Sequence, residues 1–406
     1  MPSSRGKISA SICSLQIIDR QDAETDPQPC SWSIVHINMQ NRASLGVRFS
    51  LRPYWMARLT VLKQLQTSLM GHLFTFLVFA VALIGCDRSD PIVLIQLHPK
   101  NPDIIYIATN DYIYKTRDGG QTWANLSRGM SHSRVIAMAV DPAYPATVYA
   151  GTKGDAVYKS HDGGQRWVSM RSGLDDATIS SVVNQFLFDP ADAQHIFIAT
   201  TMGVFETKNG GEQWVKKMEG MKEVLMVVTL GIDPTRPSIL YAGTSGGVYK
   251  STDQVGHWEK VNNGLVPPNM VKTSRALNVT AILVDPYESD TVYAATLAGM
   301  YKTTDGAKSW KRIGESLADQ MVMGMVLDRA RRGVLYITGR DGVHRSEDGG
   351  ATWKAINNGL MTTNVRALAQ SEVNPRVLYA GTNGSGLYRS QDAGETWEPM
   401  PLVGGG

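Results

Sequence analysis

Four acidic residues, Asp175, Asp176, Glu223 and Asp319, stand in connecting segments of the chain, outside its apolar runs. Two carboxylates about 5 to 10 Å apart across a sugar, one kept protonated by its surroundings, are the machinery of a glycoside hydrolase. Solvated loop acids satisfy the same sequence, so these residues define a candidate reaction without fixing a site. Five cations, Arg134, Lys272, Arg275, Arg340 and Arg366, occupy the same class of connections. They suit an acidic protein surface, where opposite charge orients an encounter and speeds it.

A third kind of chemistry belongs to Cys86. From Met56 the chain reads MARLTVLKQLQTSLMGHLFTFLVFAVALIGC, with Arg58 and Lys63 ahead of an apolar run from Leu73 to Ile84. That is the layout of a secretory signal, and the run is short for a spanning helix. Leu83-Ile84-Gly85-Cys86 resembles a bacterial lipobox, in which cleavage before the cysteine is coupled to diacylglyceryl modification of its thiol. The resemblance implies a signal peptide over 56–86 and a lipoprotein held to a membrane of the bacterial cell envelope, facing the periplasm or outside. Two or more acyl chains hold a protein firmly, at about 0.8 kcal/mol per buried CH₂. A plain amphipathic or spanning N-terminal helix is the alternative. Residues 1–55 show no period and are expected to be an over-extended start, with initiation at Met56 or Met70.

Composition removes other classes. The remaining cysteines are Cys13 and Cys30, so nothing after residue 86 can form a disulfide, bind zinc through thiolates or act as a cysteine nucleophile. Of 40 basic and 37 acidic residues, eight and four fall in the first 86, which leaves 32 against 33 in the rest. A near-neutral region lacks the basic footprint that neutralises phosphates, so no nucleic-acid partner is expected. The eight histidines show no metal-ligand spacing, and the Gly-Gly pairs do not open a strand-to-helix phosphate loop. No metal and no cofactor is expected.

The elements that must position these residues are repeats. YKTRDGGQTW from Tyr114 and YKSHDGGQRW from Tyr158 have counterparts at Phe205, Tyr249, Tyr301, His344 and Tyr388. Their tryptophans, Trp123, Trp167, Trp214, Trp258, Trp310, Trp353 and Trp397, are 44, 47, 44, 52, 43 and 44 residues apart, a period that signals a repeat architecture. Each unit carries four β-like runs: an inner one such as VIAMAVDP, one such as TVYAGT, the run before the motif, and a short run after its tryptophan. Four-stranded units at this period read as propeller blades. The fold class is therefore all-β, a seven-bladed β-propeller over 87–406. Pairs such as Met138 and Val140, or Phe186 and Phe188, are expected to pack between blades, and small residues such as Ala137 and Gly324 to allow close approach. The repeats begin on an inner strand and end on an outer one, leaving no spare strand to clasp the first blade to the last.

Within each motif a Ser or Thr stands two residues before Asp118, Asp162, Asn209, Asp253, Asp305, Asp348 or Asp392. Asp or Asn can accept bonds from backbone N–H groups and close the turn, glycine takes φ > 0, and the tryptophan buries a large ring beneath. The pattern S/T-x-D-G-G-x-T-W resembles the Asp-box, or BNR repeat, of sialidases, xyloglucanases, sortilin-type receptors and photosystem II assembly factors. The resemblance covers nearly everything from Pro91 to Pro399 and implies the propeller fold, with structural, non-catalytic boxes. It leaves function open, because enzymes and non-enzymes share it. Asn209 and the displaced Gly256 depart from the pattern. The repeats look most like the xyloglucanase and sortilin style, while a single lipid-anchored propeller is similar to the cyanobacterial assembly factors.

In a four-strand meander the boxes and the Asp-Pro turns share one face, and the variable connections share the other. All the candidate acids and cations lie on that variable face, and the longest connection, from Asn262 to Asn278, brings Lys272 and Arg275. Insertions on one face of a repeat protein mark binding surfaces, and a tolerated loop is the bland alternative. A non-enzymatic protein-binding or assembly module, anchored to a membrane with its partner on the variable face, is the expected function. A glycan-cleaving enzyme is the alternative.

Overall fold

The computed structural model describes residues 90–130, 134–222, 224, 226–265, 276–317 and 321–402. Cys86, the segments 1–55 and 56–86, Glu223, Lys272, Arg275 and Asp319 lie outside the described residues. Seven antiparallel sheets of four consecutive strands follow one another along the chain, over 94–125, 135–169, 183–216, 227–260, 279–313, 324–355 and 365–400. The protein is an all-β, seven-bladed propeller.

The strand types follow from their burial. In six blades the second strand, such as Val148–Thr152 or Leu240–Thr244, is buried along its whole length and carries only apolar, small or hydroxyl side chains, because both its faces meet neighbouring blades; in blade 3 it is longer, Asp192–Thr200, and starts with polar residues. Each outermost strand is two or three residues long and largely exposed, as Val168–Ser169 and Glu259–Lys260 show. Short, polar edges of this kind resist edge-to-edge association.

The blades meet through a joint that recurs around the ring. A Cβ on Gly151 of blade 2 would lie 2.6 Å from Val183 at the start of blade 3, and one on Gly243 of blade 4 would lie 2.7 Å from Val279 of blade 5. Gly381 of blade 7 receives Ile92, just ahead of blade 1, in the same way, at 2.6 Å. The ring therefore closes without a shared strand. Ile92 N–H donates to the Thr382 carbonyl at 3.0 Å, and Ile92, Ile95, Ile107 and Trp123 pack with Tyr379, Leu387 and Met400 in one apolar cluster. Ile92 is fully buried there. Ile92→Ala is expected to cost about 2 to 5 kcal/mol. Amide exchange should then speed up first in blades 1 and 7, and uniform acceleration through all blades would show that this seam is not the weak point.

The boxes are hairpin closures, as their residue types imply. In the first, Thr116 Oγ1 donates to Asp118 Oδ1 at 2.6 Å and accepts from Gly120 N, while Thr122 donates to Asp118 through its N–H and its hydroxyl. These donors, Thr116 foremost, hold the Asp118 carboxyl far below the usual carboxylate range. Asn209 makes the same bonds to Thr207 and Gln213. In the fourth box Val255 stands where glycine is expected, at φ +62, and still donates its N–H to Ser251. Four of the tryptophans reach across to the preceding blade, as Trp167 Nε1 does in donating to the Leu126 carbonyl at 2.9 Å. Each of these four boxes thus ties two blades together.

In five of the seven boxes the residue before the hydroxyl adds a further tie. Lys115, Lys159, Lys250 and Lys302 donate to a carbonyl in the next blade's box at 2.9, 2.8, 2.8 and 3.3 Å, and Arg345 does the same at 3.1 Å. Each lysine also lies over the ring of a buried tyrosine of its own blade, as Lys115 does over Tyr106 at 4.7 Å. Burial pushes the Lys115 amine down to about 8.

Candidate functional site

The variable face is built from the tips between second and third strands and from the connections between blades. The tips are short: Asn110-Asp111-Tyr112 on blade 1, Lys153-Gly154-Asp155 on blade 2, Thr201-Met202 on blade 3, Ser245-Gly246 on blade 4, Leu297-Ala298 on blade 5 and Arg340-Asp341 on blade 6. Alternate blades therefore carry a large apolar side chain, with Tyr112, Met202 and Leu297 at 46, 37 and 42% exposure.

Of the predicted cations, Arg340 is exposed at a tip, while Arg134 and Arg366 are half-buried where the inner strands of blades 2 and 7 begin. The Arg134 carbonyl accepts from Lys153 N at 2.8 Å, and its Nε is buried with no hydrogen-bond partner among the described residues. These three cations belong to three different blades, and the structure does not gather them around one point.

Of the predicted acids, Asp175 and Asp176 are described. Asp175 is the N-cap of a short helix, Asp176–Ile179, and its Oδ1 accepts from Thr178 N at 2.7 Å. The Thr178 donors hold the Asp175 carboxyl below its ordinary value. A general acid needs the opposite shift. Asp176 opens the first turn of the same helix, where a carboxylate favours the helix end. Nearby, Asp155 is buried, ion-paired with Arg171 and hydrogen-bonded to Tyr158.

The inner strands also enclose an axial cavity of 360 Å³ that reaches the Asp-Pro turns. Leu97, Val140, Phe188, Leu327 and Leu368 line it, with Gln96, His98, Gln370, Arg329 and Glu372 supplying polarity. Its lining carboxylate, Glu372, is paired with Arg329 at 2.6 Å. His98 Nδ1 accepts from Lys100 N and Asn101 N, so it closes a turn in place of the usual aspartate. Sequence reasoning assigned Val140 and Phe188 to blade packing. Their period-2 spacing is the same for a neighbour-facing and an axis-facing position, so the cavity left no separate signal.

On the Asp-Pro face, the turns are occupied with each other. Asp141 Oδ1 accepts from Ala143 N and Tyr144 N, and Asp233 and Asp328 bind the following Arg236 and Arg331. Ion pairs then link successive turns, Arg236 with Asp290, Arg332 with Glu288 and Arg329 with Glu372.

Seven consecutive sheets each carry one box in its hairpin, and the family model for Sortilin-Vps10 (sortilin, neurotensin receptor 3) matches residues 111–238. The chain is a seven-bladed Asp-box propeller of the BNR type. Among curated proteins, the propeller is 29% identical over 189 residues to a xyloglucanase, Xgh74A of Acetivibrio thermocellus; the match takes in 38% of this chain and 22% of that one. Among solved structures, an ancestral GH74 enzyme superposes with a TM-score of 0.62 at 18% identity, over 77% of this chain and 46% of the enzyme. YCF48 bound to a D1 peptide superposes with a TM-score of 0.55 at 18% identity, over 74% of this chain and 93% of YCF48. The propeller thus spans 22% of Xgh74A, 46% of the ancestral GH74 enzyme and nearly all of YCF48. At these identities the structural likeness establishes the fold alone.

Proposed function

We propose that the protein is a membrane-anchored lipoprotein whose propeller acts as a non-enzymatic binding or assembly module for a protein of the same membrane. One observation carries the reading: Asp175 and Glu372, carboxylates at the two candidate places, are already engaged. Hydrolysis of a glycosidic bond by two carboxylates needs one raised and protonated opposite a second. Asp175 caps a helix with its carboxyl lowered, and Glu372 in the axial cavity is ion-paired. Arg134, Arg340 and Arg366 on the variable face supply charge for an acidic partner segment. The end-to-end likeness to YCF48, also a single propeller, supports the same reading.

Glycan hydrolysis is the second reading, favoured by the 29% identity to a xyloglucanase. Co-purification after crosslinking in native membranes separates the two. A defined protein should be captured by wild type and lost, by tenfold or more in yield, from the Arg134→Glu/Arg340→Glu/Arg366→Glu variant. Equal capture by both forms removes the variable face as the site. Release of reducing ends from xyloglucan by wild type would overturn the non-enzymatic reading outright.

A further inference from the structure

The described chain enters the propeller on the variable face. Ile92 N–H bonds Thr382, beside the tip of blade 7, and Val93 N–H bonds Ala108, beside the tip of blade 1. Burial and then the nearby Asp90 charge raise the pKa of Tyr114, which lies 6.1 Å from Tyr112 between ring centroids, so the entry point is next to the blade 1 tip. Cys86 is four residues before Asp90. Four residues reach at most roughly 14 Å even when fully extended.

We propose that the variable face rests on the bilayer surface, with Tyr112, Met202 and Leu297 entering the headgroup layer and Lys153 lying against lipid phosphates. This rests on the lipoprotein reading and specifies what lies against the same face. Exposure alone does not choose the face, since Tyr144, Tyr287 and Val373 are exposed on the Asp-Pro side. The tether chooses. An anchor of that length holds blade 1 at the lipid surface, and the Asp-Pro face is then a full strand length farther away. Side chains at the tips of blades 1, 3 and 5 define a broad plane and not a spike, so several can reach the interface together. Amphipathic Tyr and apolar Met and Leu gain by partial insertion there, and basic side chains within a Debye length of about 8 Å are drawn to anionic headgroups. Asp111, Asp175, Asp176 and Asp341 are exposed on the same face and oppose this attraction, whereas Asp155 is neutralised by Arg171, so the apolar tips carry most of the docking. The mouth of the axis, with Arg134 and Arg366, is left to a partner that is itself embedded in the bilayer.

The test uses the full lipidated chain in vesicles of phosphatidylethanolamine and phosphatidylglycerol containing a lipid with a nitroxide on its headgroup. No cysteine follows Cys86, so with Cys13→Ser and Cys30→Ser a single introduced thiol reports one place. A fluorophore on Met202→Cys or Leu297→Cys should be quenched several-fold more than one on Tyr144→Cys or Val373→Cys. Equal quenching on both faces, with the protein still floating with vesicles, would mean a tether only; it overturns the docking and leaves the lipoprotein reading standing. Stronger quenching on the Asp-Pro face overturns the orientation. Variable-face labels shielded in native membranes but unquenched in these protein-free vesicles would assign the face to a protein instead. If mass spectrometry shows an unmodified Cys86 and the protein does not float, the lipoprotein reading fails and this inference fails with it.

Discussion

His195→Thr is expected to lower the unfolding free energy by about 3 to 5 kcal/mol near neutral pH, because it strips the partner from a buried charge cluster. His195 is 5% exposed and lies between two buried carboxylates, with Nδ1 2.9 Å from Asp189 and Nε2 2.7 Å from Glu206. The other charges at the cluster are Lys217, 3.2 Å from Glu206, and Lys208 at 3.7 Å, and the ring packs on Phe197. Threonine holds the matching position in blades 2 and 5, as Thr147 and Thr291, so the substitution fits the backbone. What it leaves is a carboxylate with too few donors. Adding Glu206→Gln should recover part of the loss, as coupling within one network predicts.

The same cluster sets a pH dependence. The Glu206 bond, then the Asp189 bond, raise the His195 pKa against the effect of burial. Burial alone would raise the Glu206 carboxyl, but donors from His195 and Lys217 bring it below its ordinary value. A raised histidine contributes fully below its unfolded value of about 6.5, and the contribution is lost as pH rises through the folded value. A lowered carboxylate contributes above its unfolded value of about 4.3, and the contribution is lost as pH falls through the folded value. Urea midpoints of wild type should therefore decline on the alkaline side of the ordinary histidine range. His195→Thr should lack that decline; the same slope in both proteins would rule the cluster out as its source.

Gly220→Ala is expected to be the second large effect, at about 3 kcal/mol or more, since backbone strain and a collision add. Gly220 has φ +90, and a Cβ there would run into the carbonyl oxygen of Trp258 in the next blade. Gly173, Gly264 and Gly359 repeat the arrangement against Trp214, Trp310 and Trp397. Gly129 supplies the control, with φ +91 and nothing within 4 Å of its would-be Cβ. Gly129→Ala should cost only the conformational term, about 1 to 2 kcal/mol. Equal losses from the two substitutions, measured by chemical denaturation, would show that the carbonyl contact contributes nothing.

The boxes were legible because the bonds that close each turn are local. Thr116, Asp118, Gly120 and Thr122 lie within seven residues, so their types and spacing specify the turn without help from the rest of the chain. The blade count was legible for the same reason, multiplied by repetition. The lysines before four of the boxes carry no such local signal, because their partner carbonyls lie 47 to 56 residues away. The glycines that face box tryptophans looked like ordinary loop glycines, since the obstacle to a side chain comes from another blade.

By itself, then, the sequence determined the fold: seven repeated turns between strands of fixed pattern can bury their faces only by closing on one another. It also determined the departures, Glu206 where other blades carry Lys or Arg and Val255 where other boxes carry Gly or Ala. Tertiary structure alone decided what those residues meet. It brought Glu206 to His195, sealed the ring with Ile92 against Gly381, and set Asp175 at the cap of a short helix. The physical reason is range. A turn is written in adjacent residues, whereas the surroundings of a charge are set by whichever strands the ring brings beside it.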